Sequence, residues 1–83
     1  MTWRLVYTER AARYIRALDP GTRSRIGRGL LKLERDPEKG ARRLTQPAMG
    51  TYRFRIGDFR VIFDVHGADI VILRVGHRSS IYR

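Results

Sequence analysis

The sequence predicts an α+β fold: an N-terminal strand, a two-helix hairpin, then an antiparallel three-strand meander, with both helices packed on one face of the sheet. Three observations carry this order (β-α-α-β-β-β). Trp3, Leu5 and Tyr7 alternate with Arg4 and Val6, the period of a half-buried strand. Apolar residues recur at helical spacing through Ala11, Tyr14, Ile15 and Leu18, and again through Ile26, Leu30 and Leu33. The last third alternates apolar and polar residues around Gly57-Asp58 and again after His66-Gly67-Ala68-Asp69, which is how hairpins read.

Each element has its own start and stop signals. Thr8 offers an N-cap to the first helix and Glu9 a favourable first-turn charge. Asp19-Pro20 closes that helix and opens the next, with Asp19 as cap and Pro20 at the first position. The second helix runs to about Arg35 and is stopped by Asp36-Pro37. Gly29 lies on its apolar side, where it permits close approach of the first helix. Arg25, Arg28, Lys32 and Arg35 share another face, which reads as a solvated charged surface or as an RNA-contacting ridge. Pro37 to Gly50 reads as a loop of roughly 14 residues carrying Arg42-Arg43, with Leu44 as an anchor into the core. Tyr52–Ile56, Phe59–Val65 and Ile70–Val75 are the three strands of the meander, and Gly57-Asp58 is a two-residue turn of the I′ or II′ type.

Composition narrows the function classes. The 83 residues make one domain, 1–83, with 42% hydrophobic content for a single core. There is no cysteine, so no disulfide framework and no cysteine-based zinc site. Nothing resembles a signal peptide, and no apolar run approaches the ~18 residues of a membrane span, so a cytoplasmic protein without membrane contact is expected. Lysine and arginine total 18 against 8 acidic residues, a net charge of +10, and such a field favours polyanions, nucleic acid first among them. Only Lys32 and Lys39 are lysines. Arginine suits a site that must grip phosphate oxygens in a fixed orientation.

Strand register gives the sharpest expectation. If Gly57-Asp58 is the turn, Ile56 faces Phe59 and Arg55 faces Arg60. Tyr52, Phe54, Ile56, Phe59, Val61, Phe63 and Val65 then point to the helices, and Arg53, Arg55 and Arg60 to the other side. Directly opposed like charges destabilise a sheet, and a phosphate between them would relieve that. Extending the register across the second hairpin sets Val75 beside Arg60, with His77 further along the same face and a floor of Ile62, Leu73 and Val75. Gly76 breaks the alternation, so Arg78 also turns inward, and Tyr82 follows within a short turn. No Ser-His-Asp order, glycine-rich phosphate loop or metal-ligand spacing occurs. No cofactor and no metal are expected.

The run TYRFRIGDFRVIFDV at 51–65 and VILRVGHRSSIYR at 71–83 resemble the C-terminal half of RelE/ParE-superfamily toxins, closest to the RelE branch. LDPGTRSRIGRGLLKLERDP at 18–37 and the Arg42-Arg43-Leu44 run also fit, so the resemblance spans essentially the whole chain. It implies the toxin of a type II toxin–antitoxin system: a ribosome-dependent endoribonuclease that cuts mRNA in the ribosomal A site, without a metal, by attack of the ribose 2′-hydroxyl on the adjacent phosphate. The partners it implies are a RelB-like antitoxin, acidic and partly disordered, together with mRNA and rRNA. Carried over by position, Arg53 and Arg55 fall where the family has basic strand residues. Arg60 matches an arginine that holds the phosphate, Arg78 one that supports the transition state, and Tyr82 a tyrosine implicated in stacking and catalysis. The expected catalytic set is Arg55, Arg60, His77, Arg78 and Tyr82, with Arg42, Arg43 and Arg53 binding RNA. Where the family uses lysines, this chain has arginines, which stay protonated and accept protons poorly; His77 is the better proton-transfer candidate and Tyr82 the second. The same fold also carries ParE-like toxins, which inhibit DNA gyrase and cleave no RNA, and that is the alternative.

Overall fold

In the computed structural model, which describes residues 3–43 and 51–81, five strands and two helices form one α+β unit. The elements are β1 (Arg4–Tyr7), α1 (Glu9–Arg16), α2 (Pro20–Arg35), β2 (Arg42–Arg43), β3 (Tyr52–Ile56), β4 (Phe59–His66) and β5 (Asp69–His77). The sheet order is β1-β5-β4-β3-β2. The β3-β4-β5 meander is antiparallel, and β1 lies parallel to β5 from Arg4 opposite Asp69 to Tyr7 opposite Ile72.

The caps follow from the sequence. Thr8 Oγ1 accepts from the Ala11 amide at 3.1 Å, and the Asp19 carboxylate accepts from the Thr22 amide at 3.0 Å with Pro20 beginning the helix. The Arg23 guanidinium donates to the Leu18 carbonyl at 2.9 Å, tying the helix connection together. Ile26, Leu30 and Leu33 of α2 meet Val61, Phe63, Ile70, Ile72 and Val75 of the sheet in one core. The predicted stripe Arg25, Arg28, Lys32 and Arg35 is exposed.

Three local expectations are corrected and one open alternative, the turn type, is decided. The 37–50 segment is not all loop, because Arg42 and Arg43 pair antiparallel with Arg53 and Tyr52. The β4–β5 turn is the two residues Gly67-Ala68 rather than four, since His66 still pairs with Asp69. Gly57 and Gly67 both have positive φ (58° and 62°) and no described non-glycine residue does, which selects the II′ form at both turns. Gly29 does admit a close neighbour, but that neighbour is Ile56 of β3, not α1: a methyl at Gly29 would sit 2.6 Å from Ile56 Cδ1.

The largest correction concerns register. Arg55 does face Arg60 and Ile56 does face Phe59. Across the second hairpin, however, a β-bulge falls between Ile62 and Phe63: Phe63 pairs with Ile72 and Ile62 with Arg74, leaving Leu73 as the extra residue. Every position of β5 beyond it changes face. Val75 therefore pairs with Val61 in the core, Gly76 sits opposite Arg60, and His77 sits opposite Phe59.

Candidate functional site

The sheet has two unlike faces. One is covered by the helices. The other carries a row that crosses four strands through paired positions, Arg42 (β2), Arg53 (β3), Ile62 (β4) and Arg74 (β5), and beside it a second row, Arg55, Arg60 and Gly76. Cross-strand partners point to the same side, so the arginines share one surface. Ile62 is fully buried on this face. Its neighbours on either side are Arg53 and Arg74, whose methylene stems are long enough to roof it while the charges stay in water.

Arg42, Arg53, Arg55 and Arg60, with Gly40, line a hollow of about 180 Å³. At about 30 Å³ per water, that is room for a phosphate group and part of its hydration. Arg55 Nε and Arg60 Nη1 donate to one acceptor, the Gly57 carbonyl, at 3.3 and 3.1 Å. Arg60 Nη1 also reaches its neighbour's carbonyl at Phe59 (3.1 Å). The turn carbonyl thus holds the two opposed guanidiniums together at one end of the hollow. Among the described residues the ion pairs are Arg4–Asp69, Arg16–Glu9 and Arg78–Asp58. None involves a hollow arginine, so its field is not cancelled by a carboxylate at salt-bridge distance.

Arg78 does not line the hollow but is tied to the turn beside it. Its amide donates to the Asp58 carbonyl at 2.8 Å, and its Nε lies 3.7 Å from the Asp58 carboxylate. The C-terminal turn is thereby pinned to the same Gly57-Asp58 turn that holds Arg55 and Arg60. Ile81 packs over Gly76, where an added methyl would come within 3.1 Å of its Cβ.

His77 does not join the arginines. Its ring meets Phe59 edge-on with centroids 5.6 Å apart, on the helix side of the sheet. Its Nδ1 lies 2.8 Å from the Ser79 hydroxyl and accepts from the Ser79 amide at 3.1 Å. The expectation that His77 lies on the arginine face is overturned by the bulge, and Val75 leaves the expected floor for the core for the same reason. Arg43 stands opposite Tyr52 on β2. Tyr82 and Leu44 lie outside the described residues. Conversely, sequence reasoning misses Arg74 and Gly40, yet Arg74 reaches the arginine face and Gly40 lines the hollow.

Comparison with known proteins places this geometry. Residues 5–82 match the family described as ParE toxin of type II toxin-antitoxin system, parDE. The chain belongs to this family. Solved structures bear out the wider RelE/ParE superfamily. A chain of the RelBE2 toxin–antitoxin complex of Mycobacterium tuberculosis is 26% identical, with a TM-score of 0.82 over 94% of this chain and 100% of that one. A chain of the archaeal RelE–RelB complex of Pyrococcus horikoshii is 28% identical, with a TM-score of 0.75 over 96% and 99%. The chromosomal ParDE system of P. aeruginosa supplies a match at 22% identity and a TM-score of 0.59, covering 92% and 96%, which speaks to the fold alone. No curated protein matches the chain. The protein is a RelE/ParE-type toxin of a type II toxin–antitoxin system.

Proposed function

We propose that this toxin is a ribosome-dependent mRNA endoribonuclease whose arginine hollow holds the scissile phosphate. The observation that carries the reading is four guanidiniums from three adjacent strands lining one phosphate-sized hollow, with no carboxylate partner among the described residues. In the reaction, the ribose 2′-oxygen bonds to phosphorus and the bond to the 5′-oxygen breaks. A 2′,3′-cyclic phosphate and a 5′-hydroxyl result, and the proton lost by the 2′-hydroxyl is made good at the 5′-oxygen. Arg53, Arg55 and Arg60 stabilise the charge that builds on the crowded phosphorus, Arg42 grips the flanking backbone, and Arg78 supports the leaving side from its place on the Gly57-Asp58 turn. None of the hollow's side chains accepts a proton near neutral pH. With His77 on the other face, the acceptor in this proposal is Tyr82.

The complexes of the M. tuberculosis and P. horikoshii relatives support a RelB-like antitoxin as partner. A net charge of +10 favours an acidic one. The proposed setting is the cytoplasm; among the described residues no helix is long and apolar enough to cross a membrane.

A second reading is favoured by the family match itself, whose description is ParE, and by the lack of a proton acceptor in the hollow. In it the chain inhibits DNA gyrase and leaves RNA intact. A translation reaction with primer-extension mapping separates the two. Cuts at the A-site codon, reduced about 100-fold by Arg60→Gln and strongly by Arg78→Ala, support the nuclease. Intact mRNA together with blocked supercoiling by purified gyrase would replace it with the second reading.

A further inference from the structure

The arginine face does not end at the first hollow. A second one, of about 220 Å³, lies where α1 passes the C-terminal half of β5, and is lined by Arg10, Tyr14, Arg74, Val75, Gly76, Ser80 and Ile81. It shares no residue with the first. Its position follows from the chain path: β1 stops pairing at Ile72, Thr8 turns the backbone into α1, and the helix runs beside the remaining length of β5. Two features suggest a ligand. Among the described residues, neither Arg10 nor Arg74 makes an ion pair or a side-chain hydrogen bond, and the Tyr14 hydroxyl is equally unengaged. The bulge at Leu73 is also what turns Arg74 toward this side, in line across the strands with Ile62, Arg53 and Arg42.

Resting on the RNA reading of the first hollow, we propose that this second hollow binds a further phosphodiester of the same single-stranded RNA. The strand then crosses the sheet at right angles to β2–β5 and ends against α1. Three strand-to-strand steps span about 14 Å, wider than one phosphodiester. Proteins that hold single strands combine a basic track for the backbone with aromatic side chains beside it. Arg10 and Arg74 supply the charge, and the Tyr14 hydroxyl a donor between them. Gly76, opposite Arg60 on the neighbouring strand, belongs to the second hollow while Arg60 belongs to the first, so adjoining strands carry the two sites.

The test is binding of the purified full chain to a fluorescent 2′-O-methyl octaribonucleotide, which lacks the attacking hydroxyl and so stays intact, measured by anisotropy over a salt series. Arg10→Gln with Arg74→Gln should weaken binding about tenfold at low salt. It should also flatten the dependence of log K on log salt by about 0.7, because one phosphate is no longer neutralised. Arg25→Gln with Arg28→Gln removes the same charge from the exposed face of α2 and controls for net charge alone. If both double variants bind alike, the second site is refuted. Arg53→Gln with Arg60→Gln addresses the first hollow separately. Abolished binding there, with Arg10 and Arg74 dispensable, would sink this inference and leave the RNA reading standing. A parent chain with no affinity for the oligonucleotide would sink both. Arg10→Gln alone, on an exposed first helical turn, guards against a variant that fails to fold.

Discussion

Removing the hydroxyl of Thr8 should loosen the fold at the point where the sheet changes register. That oxygen makes two bonds at once: it accepts from the Ala11 amide at 3.1 Å as the N-cap of α1, and it donates to the Leu73 carbonyl at 2.9 Å. Leu73 is the bulge residue of β5, and a bulge leaves a residue outside the regular ladder. Thr8 therefore gives that residue's carbonyl a partner. Loss of an N-cap costs about 1 kcal/mol. A partly buried carbonyl deprived of its donor costs about 1 kcal/mol more. Thr8→Val keeps the shape and removes both bonds, so a loss of about 2 kcal/mol is expected, or ~8–16 °C in Tm for a domain of this size. Thr8→Ser keeps the hydroxyl and should lose little. Urea unfolding followed by Trp3 fluorescence and far-ultraviolet circular dichroism measures both variants. Equal destabilisation by Ser and Val would show that the methyl group, not the two bonds, matters, and the account of the bulge would be wrong.

Two further outcomes follow from the packing of α2 and a third from its N-cap. Gly27→Ala, where a methyl meets nothing within 4 Å, should stabilise the helix by about 1 kcal/mol. Gly29→Ala should destabilise on balance, because the same helical gain is outweighed by overpacking of about 1–3 kcal/mol against Ile56; matching gains in the two melting curves would contradict this. The Asp19 carboxyl is held below its ordinary value of 3.8, chiefly by the Thr22 hydroxyl and then by the Thr22 amide. A depressed folded-state value means the contribution is complete above the unfolded value and is lost as pH falls through the folded one. Stability should thus drop in acid below about pH 4, the unfolded aspartate value, and Asp19→Asn should shrink that drop; an unchanged acid limb in urea titrations at pH 2–5 would discount the cap.

What is legible in the sequence is whatever is decided locally. Thr8, Asp19 and Pro20 act within one helical turn, and the Gly57-Asp58 turn fixes its own hairpin, so caps, helix limits and the facing of Arg55 on Arg60 can all be read. The register of β5 cannot be read from turn chemistry, because a bulge is settled jointly by two strands and the element beside them. Yet one signal is present. Arg74 is in phase with Ile70 and Ile72, so strict alternation would drive a guanidinium into the core. The bulge keeps Arg74 out and brings Val75 in. Arg74 taken as a phase error moves His77 off the arginine face on sequence grounds alone. The two-residue β2 has too few positions to show a period, and the partner of Gly29 is a tertiary fact that no helical spacing contains.

The structure also changes which arginines argue for an anion. Two arginines face to face, Arg55 and Arg60, look at first like the strongest demand for a phosphate. They are the weaker case, because the Gly57 carbonyl takes a hydrogen bond from each and offsets part of their repulsion within the protein itself. Arg42 and Arg53 are the stronger. They are also directly paired across strands, they line the same hollow, and among the described residues neither guanidinium has a hydrogen-bond acceptor or a carboxylate. Two strands of a small domain gain nothing from pairing there through like charges, whereas an oxyanion set between them would be met by charge-assisted bonds from both sides. The turn carbonyl orders one end of the hollow and leaves the other end open to the ligand.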